Sequence, residues 1–159
     1  MRIVYMLLLC AVFAGCQKGV DEAPRTFEGS FLLNRQIDTV GQVVDAAMPP
    51  KYTYTVTGGN KIVFKLKTIP QAGITDGLVQ EVVFEQPLAV VNFLLEDSAA
   101  LRQSKAWLQR ECYGCWGGQF ISQAKIEGQK ISETVWHIKA SVQSVNGPLN
   151  FEADFYRSN

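Results

Sequence analysis

The segment WHIKASVQSVNGPLNFEADFY, residues 136–156, decides the fold class of this chain. Apolar side chains occupy every second position on both sides of Asn146-Gly147, a dipeptide that favours two-residue hairpin turns. A turn at that dipeptide pairs Val142 with Phe151 and puts the alternating apolar residues of the segment on one face. Two antiparallel strands with one apolar face predict a mainly β domain.

A second hairpin is predicted around Gly58-Gly59-Asn60, which separates two further alternating runs. Pairing the runs across this three-residue loop sets Val56 opposite Ile62 and Tyr54 opposite Phe64. All four apolar side chains then share a face, and glycine supplies the backbone freedom that the turn requires.

Other segments add strands and one or two short helices. The spacing of apolar residues predicts a helix over 37–47, which ends at Pro49-Pro50, and Ser98 is a candidate N-cap for a helix over 99–110. One long helix over 87–110 is the alternative, which would make the fold α+β. Further strand candidates are 26–33, 78–85, 88–95 and 119–127. About eight strands joined by short turns predict an antiparallel barrel or a two-sheet sandwich.

The N-terminus has the pattern of an export signal. Arg2 precedes an unbroken apolar run from Ile3 to Phe13, which is too short to span a bilayer but typical of a signal peptide. The following Phe13-Ala14-Gly15-Cys16 resembles the lipobox of bacterial lipoproteins. This resemblance implies that Cys16 becomes the first mature residue and carries a lipid anchor. An ordinary signal peptide with a chance cysteine is the alternative.

This reading divides the chain into a signal peptide (1–15), a lipidated tether (16–25) and a single β-rich domain (26–159). The protein is then expected in the bacterial cell envelope, held on the membrane by the lipid on Cys16, and the outer membrane is the favoured location. The whole chain carries 15 basic and 15 acidic residues without a long block of either sign, so a nucleic-acid partner is not expected.

Cys112 and Cys115 are the cysteines that remain after export and lipidation. A local disulfide is favoured because exported proteins meet an oxidising compartment. A thioredoxin-like redox centre is less favoured, since Gly117-Gly118 follows closely and glycine starts helices poorly. A closed zinc site needs four ligands, and His137 is the one histidine of the chain, so no metal is expected. Two free thiols are the remaining alternative.

No residues with the spacing of a catalytic centre stand out, so neither enzymatic activity nor a cofactor is expected. His137 falls on the outer phase of its strand and is interpreted as a surface histidine. Trp107, Tyr113 and Trp116 are the candidate ligand-binding residues, because aromatic side chains beside the cysteine loop suit an apolar or sugar ligand. The alternative is that these aromatic side chains belong to the core.

Both ends of the domain resemble the calycin, or lipocalin-like, barrels. That family carries Gly-x-Trp on its first strand and an arginine near its last; Gly29-Ser30-Phe31 and Arg157 occupy the corresponding positions here, with phenylalanine in place of tryptophan. The resemblance implies a lipocalin-like barrel.

Three hypotheses on function follow from the sequence. The first is a non-enzymatic envelope lipoprotein whose β domain binds a small apolar or sugar ligand or an envelope protein. The second is a structural or assembly component of the envelope without a small ligand. The third is a thiol–disulfide exchange protein that uses Cys112 and Cys115.

Overall fold

The structure is a computed structural model, and it describes residues 26–42, 51–69, 79–111, 117–144 and 147–158. These residues form nine strands and one short helix. The strands are β1 (Thr26–Gln42), β2 (Lys51–Ile69), β3 (Val79–Pro87), β4 (Asn92–Leu95), β5 (Trp107–Glu111), β6 (Gly117–Phe120), β7 (Ala124–Lys130), β8 (Val135–Ser144) and β9 (Gly147–Arg157), and the helix is α1 (Ser98–Gln103).

All nine strands belong to one sheet, in the order β4-β7-β8-β9-β1-β2-β3-β5-β6. The mainly β class is therefore confirmed. The finer expectation of a barrel or of two separate sheets is corrected, because β4 and β6 end the described sheet without pairing with each other. Neighbouring strands are antiparallel except β1 and β9, which pair in parallel over two residues, Ser30 with Tyr156 and Phe31 with Arg157.

The two longest strands, β1 and β2, bend together at a corner. Lys65 places its ammonium 5.5 Å from the centre of the Tyr54 ring, although both residues belong to β2. In a straight strand residues so far apart in sequence would be separated by about 36 Å. The corner lies at Arg35 of β1, which faces both Gly58 and Lys61 of β2. The two residues of β2 between them have no partner in β1, so this irregularity is a β-bulge. Beyond it, residues 35–42 of β1 and 51–58 of β2 form a two-stranded arm.

The arm lies across the outer face of the sheet and buries a small second core there. This core consists of Ile37, Val63, Val83 and Trp107, with Tyr54 and Val56 of the arm packed against it. The main core lies on the opposite, inner face, and the sheet curls around it. Phe93 of β4, at one end of the sheet, lies 5.6 Å from Phe64 of β2, measured between ring centres.

The predicted hairpin at Gly58-Gly59-Asn60 is wrong, and so is the predicted helix over 37–47 in its described part, residues 37–42, whereas 43–47 lie outside the described residues. The chain does turn at those glycines, but the two halves of β2 both pair with β1 rather than with each other. That pairing gives 37–42 an antiparallel partner along its described length, and these residues are strand, not helix. Tertiary pairing has overridden the helical spacing of the apolar residues.

The predicted helix over 99–110 is wrong beyond its first turns, and the longer alternative over 87–110 is wrong from its start, because residues 92–95 form β4. The helix α1 is capped by Asp97, whose carboxylate accepts the amide of Ala100 at 2.8 Å, and it ends at Gln103. Lys105 has φ of +46°, a left-handed conformation that terminates the helix. The chain then forms β5, which pairs with β3.

The C-terminal hairpin forms as predicted, with a register shifted by two residues. Val142 faces Leu149 rather than Phe151, so the same side chains remain on the inner face. A turn at Asn146-Gly147 would need a closing hydrogen bond from the amide of Pro148, which proline lacks. The observed ladder instead begins with Ser144 opposite Gly147.

Substitution of Gly59 by alanine should destabilise the corner. A Cβ atom at this position would lie 2.8 Å from Cβ of Gln36, closer than such atoms approach, whereas a Cβ at neighbouring Gly58 would meet nothing within 4 Å. We expect Gly59→Ala to lower the free energy of unfolding by about 1–3 kcal/mol, the usual cost of overpacking. Urea denaturation followed by circular dichroism measures the change. Gly58→Ala is the matched control and should leave stability unchanged or slightly raised; equal losses in both variants would contradict this account.

Candidate functional site

The interior of the curled sheet is filled by aromatic side chains. The ring of Phe64 lies at its centre, and five neighbouring rings have centroids 5.0–6.3 Å away. These are contact distances between rings, so no ligand fits among them. The neighbours are Phe31, Phe84, Phe93, Trp136 and Phe155.

A groove of about 610 Å³ lies outside the core, along the β1 side of the arm. One wall is β1, the second is α1 with the turn that follows it, and the third is β6. The corner brings these elements together, because it carries the arm across the outer face of the sheet. The lining residues are Ile37, Asp38, Thr39, Arg102, Lys105 and Phe120.

Two side chains of the sheet hold the arm in place through its backbone. The amide of Ile37 donates to Oε2 of Glu85 at 2.9 Å, and the carbonyl of Ile37 accepts from Nζ of Lys105 at 2.6 Å. Lys105 Nζ also lies 3.6 Å from Oε1 of Glu85, whose side chain is 7% exposed. Glu85 and Lys105 thus take the place of a neighbouring strand at this one residue, and we call this arrangement the clasp.

Lys105 holds its position in the clasp at the cost of an unfavourable backbone conformation. It is the residue after the C-cap Ser104, where its amide bonds to the carbonyl of Arg102 and the next amide, of Ala106, bonds to the carbonyl of Leu101. This is a Schellman motif, in which glycine is the usual residue. A lysine there costs roughly 1–2 kcal/mol, which the clasp helps to offset.

Beyond the clasp, no described strand pairs with the edge of β1 that points away from β2. Alternate residues of a strand direct their N–H and C=O groups to the same side. Thr39 and Gly41 therefore present these groups on the same side as Ile37, away from β2, and both residues are exposed. Within the described ranges no backbone group pairs with either residue on that side. An unpaired strand edge of this kind is a template for another extended chain.

The other walls contribute a cation and an aromatic ring. Arg102 is exposed, and its guanidinium has no ion pair or hydrogen bond within the described parts of the chain. Phe120 is 50% exposed and meets the indole of Trp107 edge-on, with ring centres 4.9 Å apart. The groove therefore combines free backbone donors and acceptors, a positive charge and an apolar surface.

Of the residues predicted to form a ligand site, Trp107 is the one that the structure describes. It is 2% exposed beneath the arm, and its indole N–H donates to Gln109 at 3.2 Å. Trp107 supports Phe120 from below and is not on the groove surface. Cys16, Cys112, Tyr113, Cys115 and Trp116 lie outside the described residues. Residues 112–116 connect β5 to β6. These two strands pair antiparallel, from Arg110 opposite Gly117 to Trp107 opposite Phe120.

Two further grooves lie on the outer face of β7, β8 and β9, with volumes of about 500 and 670 Å³. Their charges are paired within the face: Lys125 with Glu127 at 2.7 Å, and Lys139 with Glu152 at 3.0 Å. Such mutually neutralised, exposed pairs are typical of a solvated surface. The groove beside the arm is the stronger candidate because Arg102 and the edge of β1 at Thr39 have no partner among the described residues.

His137 belongs to the same outer face. Its Nδ1 lies 2.8 Å from Oδ1 of Asp154 and its Nε2 lies 3.3 Å from Oε1 of Glu152, and the side chain is 40% exposed. Within the described ranges no three His, Cys, Asp or Glu side chains are placed to hold a metal ion.

The chain matches no protein-family model, no curated protein and no solved structure. No helix in the described ranges has the length and apolar character needed to cross a membrane.

Loss of the Glu85 carboxylate should release the arm. Glu85→Ala leaves the Ile37 amide without an acceptor and Lys105 without a counter-ion, so we expect the free energy of unfolding to fall by about 1–3 kcal/mol. Hydrogen exchange at the Ile37 amide should accelerate as well. Glu85→Gln keeps an amide oxygen for Ile37 and should lose less, and equal losses in the two variants would show that the hydrogen bond to Ile37 does not matter.

Asp154 should raise the pKa of His137 measurably. Its hydrogen bond is the main cause that places the pKa of His137 above the ordinary value of 6.5, with a smaller contribution from Glu152. Because the pKa of His137 is higher in the folded state than in the unfolded chain, its protonation stabilises the fold. This stabilisation is complete below about pH 6.5 and is lost as the pH rises through the folded-state pKa. We expect Asp154→Asn to lower the pKa of His137 in a ¹H NMR titration. Glu133→Gln, which removes the partner of Lys130, is the control; an unchanged His137 pKa in Asp154→Asn would refute the assignment.

Proposed function

We propose that this chain is a lipid-anchored protein of the bacterial envelope that binds a partner protein and does not act as an enzyme. The supporting observation is the edge of β1 at Thr39 and Gly41, which pairs with no other described strand and runs beside the groove. A strand edge of this kind recognises another polypeptide through its backbone. The anchoring rests on the lipobox-like sequence that ends at Cys16. Two or more acyl chains at that residue would hold the domain on the membrane surface.

A protein partner has more support than a small apolar ligand. Lipocalin-like proteins hold their ligands inside the barrel, whereas here the rings around Phe64 fill the interior. The grooves on the surface are open, and the one beside the arm offers backbone groups along a line rather than an enclosed apolar cavity. An assembly role in the envelope would use the same edge. Thiol exchange would depend on Cys112 and Cys115, which the structure does not describe.

Photo-crosslinking in living cells tests the proposal. Full-length protein carrying p-benzoylphenylalanine in place of Phe120 should form a covalent adduct with one defined envelope protein, because this ring is half exposed on the groove. The adduct should be recovered in the membrane fraction. The same photoreactive residue in place of Lys139, on the outer face of β8, is the control and should give no such adduct.

Two results would overturn the proposal. Adducts of equal yield and identity from positions 120 and 139 would mean that the groove has no special role. Retention of the Cys16→Ser variant in the membrane fraction, after the signal peptide has been removed, would mean that Cys16 is not the anchor.

A further inference from the structure

We propose that the groove binds an extended segment of its partner that carries an acidic side chain, and that this segment joins the arm as an added strand beside β1. This inference rests on the proposed function and specifies the chemistry of the partner. Its basis is the combination of the free edge, the clasp and the charges of the groove walls.

The free edge fixes the conformation of the bound segment. Thr39, which lines the groove, and Gly41, the next residue on the same edge, each offer one N–H and one C=O on the side away from β2. Groups of this spacing are satisfied by the backbone of an extended chain, since a strand repeats its donors and acceptors every second residue. A helix uses its own backbone groups internally and would leave the edge unpaired.

The clasp fixes where the added strand ends. At Ile37 both backbone groups are already bonded, the amide to Glu85 and the carbonyl to Lys105. An added strand therefore pairs with Thr39 and Gly41 and stops at Ile37, unless the clasp opens. This limit sets the register of the segment and keeps the paired region to a few residues.

The charges favour an acidic side chain. Arg102 has no partner within the described ranges, and Lys105 lies on the same wall of the groove. The acidic residue of the groove, Asp38, accepts the hydroxyl of Thr57 in β2 at 2.7 Å, which draws its carboxylate toward β2 and away from the free edge. The exposed side of the groove is thus positive at Arg102, whose planar guanidinium suits a carboxylate.

Phe120 predicts a second feature of the segment. Its exposed ring lies on the β6 wall of the groove. The segment should therefore also carry an apolar residue, which packs on Phe120 while the acidic residue reaches Arg102.

Binding of two synthetic peptides tests this inference. The probe is fluorescein-labelled Thr-Val-Thr-Glu-Val-Glu-Val-Thr, and the comparison peptide has lysine in place of both glutamates. Fluorescence anisotropy measures the affinity of each for the full lipidated chain in detergent micelles. We expect the acidic peptide to bind at least tenfold more tightly and to slow hydrogen exchange at the amides of Thr39 and Gly41.

Four variants separate the backbone and charge contributions. Arg102→Gln should weaken binding of the acidic peptide by about fivefold, the effect of one exposed ion pair, whereas Lys139→Gln should not change it. Thr39→Pro removes an edge amide and should abolish binding, whereas Thr39→Ala keeps that amide and should bind far more tightly than the proline variant. Because Arg102 is exposed, its variant remains informative even where the proline disturbs the arm.

The outcomes distinguish this inference from the proposed function. Equal binding of both peptides, or no effect of Arg102→Gln, would overturn the acidic segment. Binding without protection of Thr39 and Gly41 would overturn strand addition. If neither peptide binds while Phe120 still crosslinks to a partner in cells, the inference is wrong and the proposed function stands. If the crosslink is also missing, both are wrong.

Discussion

The architecture depends on one constraint: a strand laid against the face of a sheet must find partners for its buried backbone groups. Ile37 of the arm is fully buried against the sheet, and its amide and carbonyl point away from β2, where no other described strand pairs with them. An unpaired buried peptide group costs about 1–3 kcal/mol. Glu85 and Lys105 remove that penalty with side chains. The groove exists because the arm is held in this way, since release of the arm would separate Asp38 and Thr39 from Arg102.

The arm also explains how a single sheet builds two cores. On the inner face of β2, Phe64 packs among other rings of the main core, while its neighbour Val63 points outward. An outward valine in the middle of a sheet needs a cover, and Tyr54 and Val56 supply it from the far half of the same strand. One strand therefore contributes to both layers, as strands do at the corners of orthogonally packed sheets. The hydroxyl of Tyr54, which donates to Glu81 at 2.5 Å, fastens the middle of the arm.

Local patterns in the sequence predict most of the strands, but they miss β5 and the second half of β1, and they do not predict the long-range pairing. The alternation over 136–156 gives the last hairpin, and only Pro148 shifts its register. The chain reversal at Gly58-Gly59-Asn60 is visible in the sequence, whereas the choice between a hairpin and a corner depends on β1, which pairs with both halves of β2. The groove cannot be predicted from the sequence for the same reason. Thr39, Arg102 and Phe120 are brought together by the corner and belong to no common sequence motif. Nor does a local sequence pattern predict the left-handed backbone conformation of Lys105 after α1.

The position of β1 has a further consequence for how the chain folds during synthesis. This first strand lies between β2 and β9, and its parallel contact with β9 involves Tyr156 and Arg157, almost the last residues of the chain. Contacts between such distant residues close large loops and form slowly. The sheet therefore cannot be completed until β9 has left the ribosome.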